Sequence, residues 1–225
     1  MRADLVFVHG FTQTPASWEP VTSRMTTGSQ LSPVPYAPDF VTTADELDVG
    51  PAEYVGYSMG GRLCLQLALD RPEAVERLVL VSASPGIADA ADRATRRAAD
   101  EQLAQSIERD GVDAFLERWV AQSLFATLPR DRARIAERRA GNTVESLTHQ
   151  LRVLGQGAQP SNWDRLAGLA APTLLIVGEL DAKYVDIAHR MAAAIPDAHV
   201  EVIADAGHAC HLERPDAVAH LIASW

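Results

Sequence analysis

The stretch Gly56-Tyr57-Ser58-Met59-Gly60 sets one hydroxyl between two glycines. It matches G-x-S-x-G, in which the serine sits on a sharp strand-to-helix turn and the glycines keep strand and helix from clashing. The same residues would also serve as a glycine-rich turn that ends a strand, so the reading depends on what else the chain supplies. A serine hydroxyl becomes reactive only when a base takes its proton, and a histidine base needs a carboxylate to fix its tautomer and stabilise its charge. The expected chain order is serine, then an acid after a later strand, then histidine near the end. Asp181, in VGELD, and His208, in DAGHACHLERP, satisfy that order.

Rivals exist for both partners. Glu179 lies two positions before Asp181 and suits a strand end or a loop anchor better. His211 follows His208 by three residues, but the Ala-Gly pair gives His208 the tight turn after a strand, which leaves His211 a structural or cap-facing place. His189, His199 and His220 fall in helix or strand patterns, as surface or packing residues. Charge developing on a substrate oxygen would need an oxyanion hole, made by the N–H after the serine and one from the loop after the first strand. Met59 offers the first, and Phe11, in His9-Gly10-Phe11, the second.

These groups must be held by strands that end at one place. Apolar runs at Leu5 to Gly10, Val34 to Asp39, Glu53 to Ser58, Arg77 to Ala83, Thr173 to Glu179 and His199 to Asp205 read as strands. Most are nearly continuous in apolar character, as strands buried on both faces of a parallel sheet are. Helical patterns fall at Gly60 to Asp70, Tyr184 to Ala194 and Pro215 to Ser224. The alternation gives an α/β class with a mostly parallel sheet and helices on both faces. The rhythm breaks between Pro85 and Gly168, where amphipathic patterns at Ala98 to Arg109 and Val112 to Gln122 predict a helical cap. The expected division is a core of 1–84 and 169–225 with a cap of 85–168.

Composition limits the function. The 225 residues are 47% hydrophobic and 22% charged, ordinary for a folded soluble domain. A net charge of −10 disfavours nonspecific nucleic-acid binding. From Ser84 to Arg165 there are 12 arginines and 12 acidic residues, so the excess negative charge lies wholly outside this insert. Its run Arg130 to Gly141 reads as a solvated helix face. Cys64 and Cys210 have no metal or redox spacing. No run reaches the roughly 18 apolar residues of a membrane span. The chain reads as cytoplasmic, without membrane insertion, metal or cofactor.

HGF, GYSMGG, the helical insert, VGELD and AGH together resemble the α/β-hydrolase superfamily from Leu5 onward. GYSMGGR, SASPGI, RRAADEQLAQSIERDG, ERWVAQSLFATL, GQGAQPSNWDRL and VGELDAKY are more closely similar to the 2-succinyl-6-hydroxy-2,4-cyclohexadiene-1-carboxylate synthases of menaquinone biosynthesis. That resemblance implies a small anionic substrate, a cyclohexene bearing an enolpyruvyl ether. The reaction it implies removes a ring proton and expels pyruvate without hydrolysis. It further implies substrate-binding roles for Tyr57, Arg62, Arg96 and Trp119, with Ser58 acting as a base. Arg62, one helical turn beyond Ser58, would reach a carboxylate.

Two departures from the family stand out. The segment between Asp39 and Glu53 leaves room for only a turn or two of helix, at Thr42 to Leu47, and the chain opens directly on the first parallel strand without the usual leading hairpin. Other readings therefore stay open: an esterase, thioesterase or lactonase working through an acyl-enzyme on Ser58, or a binding protein with a vestigial triad.

Overall fold

The computed structural model describes residues 4–26 and 28–225; residues 1–3 of the expected core segment, and residue 27, lie outside the described residues. The first strand, β1 (Leu5–Val8), runs through a short 3-10 turn into α1 (Glu19–Thr22) and then β2 (Ser29–Ser32). A short α2 (Phe40–Asp45) leads to β3 (Ala52–Tyr57), α3 (Met59–Asp70) and β4 (Val75–Val81). Three helices follow, α4 (Ala90–Val120), α5 (Ile135–Ala140) and α6 (Val144–Leu154). The chain returns to the sheet as β5 (Thr173–Gly178), α7 (Ala182–Ala194) and β6 (Ala198–Ile203), and closes with α8 (Cys210–Glu213) and α9 (Pro215–Ser224).

The six strands pair in parallel in the order β2-β1-β3-β4-β5-β6. The central strands feed both faces because successive side chains in a strand point opposite ways. Val6, Val8, Leu78, Leu80, Leu175 and Val177 pack with α2, α3 and α7 on one face. Leu5, Phe7, Val79, Val81, Leu174 and Ile176 pack with α1, α8 and α9 on the other. Full burial of each such side chain contributes about 1.5–3 kcal/mol.

One expected strand is misplaced. The second strand forms at Ser29–Ser32, and Val34 to Asp39 is irregular. Pro33, Pro35 and Pro38 explain this, since proline has no N–H to give to a ladder and fixes φ. The actual strand lies at the sheet edge and is mostly exposed, so it lacks the apolar signature that marks its neighbours. The shift also gives residues 33–51 to the crossover, with Asp39 capping α2 through Thr42 N at 2.9 Å. That length suffices for a parallel connection.

Between β4 and β5 the described residues form no strand. Helix α4 breaks at Gly111 (φ 79°, ψ 171°), where the two expected amphipathic patterns meet. Ala104, Ile107, Phe115 and Leu116 of α4 pack on Leu147 and Leu151 of α6. Exposed pairs such as Arg152 with Glu101 and Glu108 absorb much of the segment's charge, each worth less than about 1 kcal/mol. The run Arg130 to Gly141 is not simply a solvated face. Arg138 is only 2% exposed; its guanidinium donates to Thr12 Oγ1 and to Ala133 O (2.8 Å), and Asn142 Nδ2 reaches Thr12 O at 2.9 Å. The arginine pattern could not distinguish this fastening from its solvated neighbours, because the Thr12 loop it clasps lies more than a hundred residues away.

Candidate active site

The sheet order reverses between β1 and β3, since the chain first moves outward to β2 and then crosses back. Crevices at the carboxyl ends of strands form at such switch points. The loop after β1 carries His9-Gly10-Phe11, and the turn after β3 carries Ser58. Ser58 has φ 49° and ψ −106°, a conformation that costs a non-glycine residue of order 1–3 kcal/mol. Its N–H donates to Val81 O at 2.9 Å, and its carbonyl accepts from Arg62 N at 3.0 Å, which anchors the turn to β4 and to the first turn of α3. The flanking glycines are required by close approach. A Cβ on Gly60 would lie 2.3 Å from Val8 O, and one on Gly56 would lie 2.5 Å from Gly61 Cα.

Asp181 follows β5 at the N-terminal end of α7, where the helix dipole favours a carboxylate. His208 lies in the loop after β6. Its Nδ1 is 2.7 Å from Asp181 Oδ2 and its Nε2 is 3.2 Å from Ser58 Oγ. A carboxylate only accepts, so Nδ1 carries the proton and Nε2 is left to accept from the serine hydroxyl. The chain Asp181–His208–Ser58 can thus draw a proton from Ser58. Asp181 and His208 are buried, while Ser58 is partly open to the cavity. Glu213 Oε2 accepts from Gly207 N at 2.9 Å and steadies the histidine loop.

The rivals fall elsewhere. Glu179 Oε2 accepts from Asp205 N at 3.1 Å and anchors a loop. His211 is buried against Trp18 and Tyr57 and receives a hydrogen bond from Gln13 Nε2 (3.3 Å). Burial, helped by the charges of Arg138 and His208, pushes it well below the usual histidine range. His189, His199 and His220 are exposed on α7, β6 and α9.

A cavity of about 140 Å³ opens over Ser58, and Phe11, Tyr57, Met59, Arg62, Arg96 and Trp119 all line it with His208. Met59 is the first residue of α3, where a backbone N–H has no intrahelical acceptor. Phe11 closes the loop after β1 and meets the Trp119 ring edge-on at 5.0 Å. Tyr57 lies under His208 and His211, with burial raising its phenol well above the ordinary value.

Arg62 is 5% exposed and has no carboxylate partner among the described residues. Its guanidinium donates to Leu154 O (2.7 Å) and Gln159 Oε1 (3.1 Å), and burial lowers its pKa to about 10. Arg96 differs, being held by Asp100 (2.7 Å) and Gln156 (3.0 Å). Four further polar lining residues were not singled out from the sequence: Gln150, Gln156, Lys183 and Tyr184. The last three lie inside the GQGAQPSNWDRL and VGELDAKY stretches, which was the available signal. Gln150 had none.

An alpha/beta hydrolase family model matches residues 5–221. A Salmonella paratyphi C (strain RKS4594) protein, 2-succinyl-6-hydroxy-2,4-cyclohexadiene-1-carboxylate synthase, is 30% identical over 97% of this chain and 92% of its own. A Bacillus subtilis (strain 168) protein bearing that name provisionally is 32% identical over 98% of this chain and 89% of its own. The structure of MenH from S. aureus superposes with a TM-score of 0.89 at 28% identity, covering 99% of this chain and 92% of that one. A thermophilic esterase from Thermogutta terrifontis, at 22% identity and TM-score 0.76, shares the fold. With the model spanning nearly every residue and the Salmonella relative matched along almost its whole length, the chain belongs to the alpha/beta hydrolase family.

Proposed function

We propose that this protein is a carbon-oxygen lyase that eliminates pyruvate from the enolpyruvyl cyclohexene intermediate of menaquinone biosynthesis, yielding 2-succinyl-6-hydroxy-2,4-cyclohexadiene-1-carboxylate. The observation that carries the reading is Arg62, a buried cation with no carboxylate partner among the described residues, lining one cavity with Ser58, Arg96 and Trp119. A buried guanidinium held in a cavity wall by neutral acceptors is suited to an incoming carboxylate. Relatives named for this synthase activity, matched over nearly the whole chain, point the same way.

The chemistry follows from the hydrogen-bond chain. His208 Nε2 takes the Ser58 proton, and Asp181 stabilises the imidazolium. Ser58 Oγ then removes the ring proton, and the electron pair left behind forms the new ring double bond as the ring C–O bond to the enolpyruvyl group breaks. The departing enolate takes a proton through His208 and becomes pyruvate, which returns the base to its starting state. The N–H groups of Met59 and Phe11 stabilise charge developing on a substrate oxygen. Tyr57 and Trp119 shape the wall around the ring, and Arg96 supplies a second cation. The helical segment 85–168 acts as the cap that closes over the substrate. A cytoplasmic location accords with Cys64 and Cys210, both buried and unpaired.

Pyruvate release from the enolpyruvyl substrate, followed by a coupled reduction, tests the reading. Release should depend on Ser58 and be lost in Ser58→Ala. A rate no higher than the uncatalysed one, or an acyl burst with neutral p-nitrophenyl esters that exceeds pyruvate release, would reject it.

A further inference from the structure

Arg62, Arg96 and Lys183 line the Ser58 cavity, and the two arginines are already engaged. Arg62 donates to Leu154 O and Gln159 Oε1, and Arg96 donates to Asp100 and Gln156. Lys183 differs from both. It is the only lysine in the chain, and it stands exposed at the second position of α7. Among the described residues its ammonium meets no carboxylate and no hydrogen-bond acceptor; Nζ lies over the ring of Tyr184, itself a lining residue, 5.7 Å from the centroid. That cation–π contact keeps the ammonium beside the cavity. An ammonium has three N–H donors, so Lys183 offers a ligand an accessible cation whose donors are all free.

We infer that Lys183 is a specificity-determining residue that binds the carboxylate of the enolpyruvyl arm and gives it up with the departing pyruvate. The inference rests on the lyase reading above. That substrate bears three carboxylates, one on the ring, one ending the succinyl chain and one on the enolpyruvyl group, and the three cations lie at different depths. Arg62 is 5% exposed, the Arg96 side chain is 37% exposed, and Lys183 stands at the mouth. The chemistry decides which carboxylate falls to Lys183. His208 returns a proton to the departing group, so the enolpyruvyl carbon lies beside His208. The Tyr184 ring is 4.6 Å from the His208 ring and 5.7 Å from the Lys183 ammonium, so an arm protonated by His208 passes Tyr184 and ends within reach of Nζ. Pyruvate is also the fragment that must leave. A flexible, strongly hydrated ammonium at the mouth draws the arm in and holds it less firmly than a buried guanidinium fork would.

The single lysine makes the test direct. Trinitrobenzenesulfonate modifies amines, and peptide mapping by mass spectrometry separates Lys183 from the amino terminus. Saturating pyruvate should slow modification of Lys183 by about fivefold or more, whereas neutral pyruvamide should not. In turnover, wild type should prefer the natural substrate to its enolpyruvyl methyl ester by about tenfold or more in kcat/KM, because the ester removes the charge that the ammonium meets. Lys183→Met, an exposed replacement that the fold tolerates, should bring that preference to within about threefold, and Lys183→Arg, which keeps a cation, should retain it. Discrimination against the methyl ester of the succinyl carboxylate should be the same in wild type and Lys183→Met. A wild-type preference kept by Lys183→Met, a preference lost against the succinyl ester instead, or no protection by pyruvate would each overturn the assignment. No pyruvate release by wild type from the natural substrate would instead refute the lyase reading itself, and pyruvate protection would still decide whether Lys183 takes a keto-acid carboxylate.

Discussion

Replacing Arg62 by methionine separates its use as a substrate ligand from its use as a strut. In the folded protein burial lowers the guanidinium pKa from 12.5 to about 10, so keeping the charge in place at neutral pH costs about 3 kcal/mol. Arg62→Met relieves that cost. It also strands Leu154 O and Gln159 Oε1, which now accept at 2.7 and 3.1 Å, at about 1–3 kcal/mol each. The two effects largely offset, and net stability should stay within about 3 kcal/mol of wild type. Turnover has no such offset. A substrate carboxylate left unpaired in the cavity loses about 2–5 kcal/mol, so kcat/KM for pyruvate release should fall by about 30-fold to 5,000-fold. The control is the rate at which a neutral serine-directed phosphonate labels Ser58, which should change by less than about twofold because it does not need the cation. A loss under tenfold in pyruvate release, or an equal loss in phosphonate labelling, would show that Arg62 is only a strut.

Two other perturbations follow from the same geometry. Asp181→Asn should leave the fold intact but destroy the tautomer control set by the 2.7 Å bond to His208, lowering kcat for pyruvate release by about 10³ to 10⁴; a loss below tenfold would redirect the acid role to Glu179. Acid should destabilise the protein through its buried neutral histidines. Burial lowers His9 to about 4, so between that value and about 6.5 the unfolded chain binds more protons, and stability falls as pH falls. From pH 8 to pH 5 the loss from His9 should be about 2 kcal/mol, and His211, lowered by burial, adds in the same direction. Urea midpoints across that range should drop in wild type and flatten in His9→Asn; a flat wild-type profile would contradict the buried neutral state.

The alternating buried strands and helices were legible because each is written in local sequence. Leu5–Val8, Ala52–Tyr57 and Thr173–Gly178 are short apolar runs, and the parallel sheet needs them so. Ser29–Ser32 was illegible for the opposite reason: an edge strand exposed to water keeps no apolar pattern, and the apolar segment after it is broken by proline. The two amphipathic patterns at Ala98 to Arg109 and Val112 to Gln122 were legible, and they lie on one helix, α4, broken between them at Gly111.

By itself the sequence determined which chemical groups exist and in what order. The glycines around Ser58 are demanded by backbone approach, and Asp181 and His208 each follow a strand whose end must reach the same edge of the sheet. Tertiary structure alone decided how the remaining side chains are used. Three arginines of similar local appearance have different fates: Arg62 is a buried cation bonded to the neutral acceptors Leu154 O and Gln159 Oε1, Arg96 is tied to Asp100, and Arg138 clasps the Thr12 loop. Gln150 joins the cavity only because α6 packs on α4 and turns that face towards Ser58. The physical reason is range. Backbone conformation answers to neighbours a few residues away, whereas the worth of a charge or an amide is set by burial and by partners distant in the chain.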